Sequence, residues 1–250
     1  VELATLNLAG SIVSLPVLPI LGLPGFGVLP YLAGNVLCHT AYYTLLLNSY
    51  SAGGLSLVYP IARGAGPLLV AAASIPLLGE SLPGKAYMGV VLIAVSIASL
   101  AFAGGRRHFN ARAVLLSLAT GATIAAYTLV DGAGARRATN AVSYIASVFV
   151  LDGFLLLPAV YLRRPGIAVE RIRAHWKTGA LSGVLAVSAY GIAVWAMTRA
   201  PIALVAALRE TSVVVAAILG ALFLGEPFGR HRVLASIGVA AGIVLLRLSS

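Results

Sequence analysis

Apolar residues fill this chain in long blocks, broken at intervals by short polar or glycine- and proline-bearing segments. A helix that crosses a bilayer needs about 20 mostly apolar residues. Nine windows qualify, at about 3–22, 27–48, 54–78, 86–104, 112–131, 141–162, 178–198, 201–225 and 231–248. The segments between them carry turn chemistry, as in Gly22-Leu23-Pro24-Gly25 and Gly79-Glu80-Ser81-Leu82-Pro83-Gly84. Two are basic: Gly104-Gly105-Arg106-Arg107-His108, and the stretch from Arg163 to Lys177, read as a loop. Glycines scattered inside the blocks suit membrane helices, where small residues let neighbouring backbones approach. The pattern predicts an all-α polytopic membrane protein.

The blocks repeat. At an offset of 146 residues Arg63 falls on Arg209, Ala71 on Ala217, and Leu78-Gly79-Glu80 on Leu224-Gly225-Glu226. The series continues with Gly89 on Ala235 and Ser96-Ile97 on Gly242-Ile243; a two-residue slip upstream aligns Ala41-Tyr42 with Ala189-Tyr190. An ordered series of this kind marks a tandem duplication, with a first copy over 1–104 and a second over 105–250. Five helices fall in the second copy and four in the first, so nine helices are visible of a ten-helix plan. The expectation is that one helix precedes Val1, which is not an initiator methionine. Five is odd, so consecutive copies cross the membrane in opposite senses: two inverted five-helix repeats, with a substrate site at the midplane between them.

Composition narrows the alternatives. Of 250 residues 60% are apolar and 10% charged, against about 45–50% and about 25% in soluble domains. One core could not hide that much apolar surface, disorder needs low hydrophobicity, and the single cysteine, Cys38, excludes a disulfide scaffold. The formal charge of +10 would suggest nucleic acid in a soluble protein. Here the basic residues flank apolar runs, as Lys and Arg do on the cytoplasmic side of membrane helices. Ten fall in 104–112, 163–177 and 229–232, against Lys85, Arg136, Arg137, Arg199 and Arg247 on the opposite side. That bias places the first two of those segments in the cytoplasm and Ser250 outside.

Twice, a helix ends in Leu-Leu-Gly-Glu (77–80) or Phe-Leu-Gly-Glu (223–226), turns, and is followed by a helix with small residues seven apart. With Tyr59-Pro60-Ile61-Ala62-Arg63-Gly64-Ala65-Gly66-Pro67 and Leu208-Arg209-Glu210-Thr211-Ser212, the chain resembles the EamA-type branch of the drug/metabolite transporter superfamily over essentially its whole length. The resemblance implies ten helices in two inverted repeats. Bacterial relatives include amino acid exporters. The missing first helix departs from the family pattern; in small relatives it carries a functional acidic residue.

No catalytic constellation is present. His39, His108, His175 and His231 lack metal-ligand spacing, and no Walker-type or Gly-x-Ser-x-Gly loop occurs. The informative residues are charges inside apolar windows. Arg63 and Arg209 lie near mid-depth, where an arginine costs at least ~2.5–3.5 kcal/mol and must face the bundle interior or water. They either tie helices together or form a cationic fork for a carboxylate. Glu210 follows Arg209 directly and points about 100° away on a continuous helix. It and Asp152 are the candidate counter-ions, ammonium ligands or proton carriers. Asp131, read as lying at a helix end, is set aside, and Glu80 and Glu226 are expected to bond backbone in their turns. Asn35, His39 and Tyr42 share one helix face by i, i+4, i+7 spacing, Tyr59 lies one turn before Arg63, and Ser188, Tyr190 and Trp195 occupy the equivalent helix of the second copy. Pro60 and Pro67 bracket Arg63, which marks a Gly/Pro-interrupted segment beside an intramembrane charge.

These features point to a non-enzymatic secondary transporter in the inner (plasma) membrane, without cofactor or bound metal. It would move small polar or zwitterionic metabolites by alternating access, with amino acid export foremost. The alternatives are a carrier of organic anions such as phosphonates or phosphate esters, and a non-transporting membrane subunit. The expected partners are a small-molecule substrate, the lipid bilayer and a coupled proton or none. Nucleic acid is not expected, and the chain is expected to be a monomer.

Overall fold

The computed structural model describes residues 2–102, 110–163, 165–224 and 230–248. The basic segment 104–108 and Glu226, singled out above, lie outside these. The described residues form α1 (Glu2–Ser14), α2 (Val17–Leu21), α3 (Leu29–Ala52), α4 (Leu55–Leu78), α5 (Gly84–Ser99) and α6 (Ala111–Arg137). The series continues with α7 (Ala141–Arg163), α8 (Pro165–Met197), α9 (Ile202–Arg209), α10 (Thr211–Leu224) and α11 (Arg230–Arg247). Single 3₁₀ turns occur at Phe26–Val28 and Leu100–Phe102. Leu57–Leu78, Ala111–Arg137 and Trp176–Met197 are long and apolar enough to cross a bilayer, and Thr5–Leu21, Gly84–Ser99, Ala141–Phe154 and Val233–Arg247 are shorter apolar helices. The all-α polytopic reading holds.

Several boundaries differ from the sequence expectation. The first window breaks ahead of Pro16, which has no N–H to continue the ladder, so α2 is a separate short helix. The basic stretch read as a loop from Arg163 to Lys177 is helical from Pro165 onward, a residue whose fixed φ suits the first helical turn. The window at 201–225 is two helices, interrupted at Glu210. By contrast α4 runs unbroken through Pro60, Pro67 and Pro76. It ends at Gly79, whose φ of +68° is left-handed and whose N–H reaches Ile75 O at 2.9 Å. That αL cap explains the glycine in the Leu-Gly-Glu motif.

The helices form two compact units, and each unit draws on both halves of the sequence. One comprises 1–39 with 130–199, the other 40–129 with 200–250. In the first, α1 packs on α7 and α8, around a core containing Val28, Leu32, Tyr144, Val148, Phe149 and Val194. The α1–α8 approach is close: a Cβ on Gly183 would lie 2.6 Å from Ala9 Cβ. In the second unit α5 packs on α11 and α4 on α5 and α9. A Cβ on Gly89 would meet Gly242 O at 2.8 Å, and one on Gly242 would meet Gly89 O at 2.9 Å. Backbone-to-backbone contact of this kind is how membrane helices associate without a hydrophobic driving force between them.

Candidate functional site

The second unit holds the arginines. Arg63, on α4, places Nε 2.8 Å from Glu210 Oε2, and Arg209 Nε stands 3.9 Å from Glu210 Oε1. The Arg63 N–H is not aimed at that oxygen, so the contact is an ion pair without a formed hydrogen bond. The Glu210 side chain is 1% exposed, while those of Arg63 and Arg209 are 19% and 15% exposed. The carboxylate is therefore interior and the guanidiniums partly reachable. Each arginine also lies over a tyrosine, Arg63 at 5.9 Å from the Tyr59 ring centroid and Arg209 at 6.0 Å from that of Tyr127. Tyr42 stands edge-on to Tyr127 at 5.7 Å.

Glu210 can lie between the two arginines because the helix breaks beneath it. Its own N–H bonds Ala207 O at 3.1 Å, a tight i→i−3 turn, and its carbonyl accepts from Val213 N–H. The 100° separation of neighbours on a regular helix no longer holds there. The repeat partner of Glu210 is Gly64, and the structure gives a reason for the glycine. A Cβ at Gly64 would meet Ala94 O at 2.8 Å, so that position has no room for a carboxylate. One acid stands between two arginines.

The first unit holds a second polar group. His39 Nδ1, on α3, is 2.7 Å from Asp152 Oδ2 on α7, and both side chains are buried. Asp131, on α6, is fully buried and accepts from Asn35 Nδ2 at 2.7 and 2.9 Å, Tyr144 Oη at 3.0 Å and Tyr190 Oη at 2.5 Å. Tyr144 reaches it by lying across Gly134, where a Cβ would come within 2.5 Å of its ring. Asp131 thus corrects the reading of a solvated helix end: α6 continues to Arg137, and the carboxyl sits inside it. Trp195 is exposed near the end of α8, beneath the Arg199 guanidinium at 5.1 Å, and joins neither group.

The sequence expectation thus resolves into two sets. Arg63, Arg209, Glu210, Tyr59 and Tyr42 gather in one unit, and Asn35, His39, Tyr190 and Asp152 in the other. Tyr127 and Tyr144 were not anticipated, and Asp131 was set aside. Tyr127 and Asp131 are one turn apart on α6, a polar i, i+4 pair in an apolar helix that could have been noticed. Glu80 bonds backbone as expected, but not in its own turn: Oε2 accepts from Ile202 N–H, at the start of α9, at 2.9 Å. Among the described residues no group of three or more His, Cys, Asp or Glu is placed to hold a metal ion.

Comparison with known proteins agrees with this architecture. A crystal structure superposes with a TM-score of 0.78 at 18% identity, covering 99% of this chain and 87% of that one; at such identity the likeness establishes the fold. No curated protein matches the sequence. Residues 111–248 match the EamA-like transporter family. With more than half of its length in that match, this multi-pass membrane chain belongs to the EamA-like transporter family.

Proposed function

We propose that this protein is a secondary transporter of the inner membrane that moves small carboxylate-bearing metabolites by alternating access, amino acids foremost. The observation that carries the reading is the arginine group. Two partly accessible guanidiniums stand around one interior carboxylate, so cationic forks lie within reach of a ligand. A guanidinium receives a carboxylate bidentately, and the Tyr59 and Tyr127 rings restrict where each fork can point. Amino acids are the substrates to test first, because the bacterial relatives that the sequence resembles include their exporters.

The same two guanidiniums favour a second reading, a carrier of organic anions such as phosphonates or phosphate esters. Glu210 is taken up by the arginines and Asp152 by His39, which leaves neither as a ready ammonium ligand. Flux into proteoliposomes separates the readings: counterflow of a labelled amino acid supports the first, and counterflow of a phosphate ester with no amino acid movement supports the second. No flux of either under an imposed gradient would point to the non-transporting subunit. The buried His39–Asp152 pair is the candidate route for a coupled proton, since intramembrane carboxylates and histidines often serve as relays. If it serves, imposing a pH gradient accelerates wild-type flux but not that of Asp152→Asn.

A further inference from the structure

The polar residues of the first unit lie along one stripe. Tyr31, Asn35 and His39 are spaced i, i+4, i+8 on α3, so they follow one another on one face of it. At 1.5 Å per residue the stripe runs about 12 Å along the helix. Each member makes a polar contact with another helix. Tyr31, in the first turn of α3, accepts from Arg137 at the end of α6, and that guanidinium lies 5.1 Å from its ring centroid. Asn35 donates to both oxygens of Asp131 on α6. His39 meets Asp152 on α7 at 2.7 Å. Exposure falls along the series: Arg137 is exposed and Tyr31 half-buried, while Asn35, Asp131, His39 and Asp152 are buried. An arginine and a tyrosine at helix ends mark the level of headgroups and water in a bilayer, and from there the stripe leads to the middle of α3.

Tyr144 fills the interval between the first two rungs. Its ring crosses α6 at Gly134, which lies midway between Asp131 and Arg137 in the chain, and its hydroxyl donates to Asp131 at 3.0 Å. Tyr31 packs against the core that contains Tyr144 and lies within electrostatic reach of it. Past Asp131, His39 is within the same reach. Two further titratable groups face Asp131: Tyr190 from α8, which donates to Oδ2, and Cys38 from α3. Hydroxyl, carboxylate and imidazole thus succeed one another from the exposed end of α6 to Asp152, whose Oδ1 is buried without a hydrogen-bond partner. Ionisable groups inside a membrane are costly, and where they stand in series they mark the paths of ions and protons.

We infer that this stripe is the proton's way in: from the exposed end of α6 through the Tyr31 and Tyr144 hydroxyls to Asp131, and from there to the His39–Asp152 pair. The inference rests on the reading of that pair as the seat of a coupled proton. Every step is an exchange that leaves the relay as it was. Tyr144 gives its hydroxyl proton to Asp131 and takes one from Tyr31. The imidazole takes a proton from Asp131 at Nε2 and releases the one on Nδ1 to Asp152 Oδ2. Exchange of the His39 ring N–H with water reads the path without any substrate. The full chain, with His108, His175 and His231 replaced by Gln so that His39 is the sole imidazole, carries isotope-labelled histidine and is measured by NMR in micelles. Tyr144→Phe removes a relay hydroxyl and should slow exchange by about a hundredfold, the lower end of what a positioned proton-transfer group contributes, with the ring's chemical shifts in place. Tyr31→Phe, at the half-buried start of α3, should slow it as well and carries little risk to folding. Tyr190→Phe takes a hydrogen bond from the same carboxylate without removing a step, so it should slow exchange far less than Tyr144→Phe. Wild-type exchange in Tyr31→Phe and Tyr144→Phe, or equal slowing in Tyr190→Phe and Tyr144→Phe, would overturn the path. Flux whose acceleration by a pH gradient survives Asp152→Asn would instead strike the coupling reading, and the exchange rates would still show whether the path exists.

Discussion

Two guanidiniums around one buried carboxylate dictate what each substitution there must do. Removing Arg63 strands the interior Glu210 carboxylate beside the more distant Arg209. Losing one partner of a buried pair costs roughly 3–5 kcal/mol, so Arg63→Ala should sharply lower resistance to unfolding. The double variant Arg63→Ala/Glu210→Ala should recover part of the loss. A double-mutant cycle on chemical unfolding in mixed micelles measures it, and strictly additive losses would dissolve the pair as an energetic unit. Arg63→Lys and Arg209→Lys keep the charge but lose the fork. Transport should fall in both while membrane levels hold, and unchanged flux in both would reduce the arginines to scaffold. In the other unit Asp131 accepts from three side chains. Asp131→Ala takes the acceptor from Tyr190 and from the buried donors of Asn35 and Tyr144, at about 1–3 kcal/mol for each buried group left unsatisfied. Its thermal unfolding should therefore shift further than that of Tyr190→Phe, which removes one donor. The arginines were legible because the repeat aligns them and because a charge at mid-depth demands a reason. Asp131 was not, since its importance depends on α6 running six residues past it, and an apolar window cannot place that end.

At the level of elements, α9 is a helix of eight residues that presents Arg209 at its last position. Pro201 caps its start without a side-chain hydrogen bond of its own. Glu80 fills that role from the end of α4, bonding the Ile202 N–H and setting a negative charge near the positive end of the helix dipole. Loss of an N-cap side chain typically costs about 1 kcal/mol. Glu80→Ala should show that loss in stability with a parallel fall in flux, because α9 carries an arginine of the site. Flux at wild-type level in Glu80→Ala would confine the residue to stability. The interruption at Glu210 was beyond sequence reading for a plain reason: no proline or glycine stands there, whereas α4 carries three prolines and stays continuous. Propensity marked the wrong member of the repeated pair, and packing decided. Gly64 shows the same rule in reverse, as Gly64→Ala would push a methyl to within 2.8 Å of Ala94 O. Overpacking of this kind costs typically 1–3 kcal/mol, and Gly64→Ala should lower the melting temperature more than Gly27→Ala, where the space is open.

For the whole molecule, the helix pairs bear on the inverted-repeat expectation. α1 packs on α7, α4 on α9 and α5 on α11, and in each pair the partners hold the same place in the two sequence copies. α1 also packs on α8 and α4 on α5, pairs that are not equivalent in the two copies, so the inversion is a matter for topology rather than for these contacts. If the copies are inverted, residues matched by the 146-residue offset face opposite sides of the membrane. Ser81 and Pro227 are such a pair. The native Cys38 is the sole cysteine, so Cys38→Ser supplies a background for labelling. A cysteine at Ser81 should react with an impermeant maleimide in intact cells, and one at Pro227 only after permeabilisation. The charge bias adds the absolute sense: a cysteine at His175, in the basic stretch that begins α8, should stay protected in intact cells, since positively charged segments remain on the cytoplasmic side. Ser81 and Pro227 labelling from the same side would end the inverted-repeat reading. Pro227 and His175 labelled in intact cells with Ser81 protected would preserve the inversion and turn the protein over.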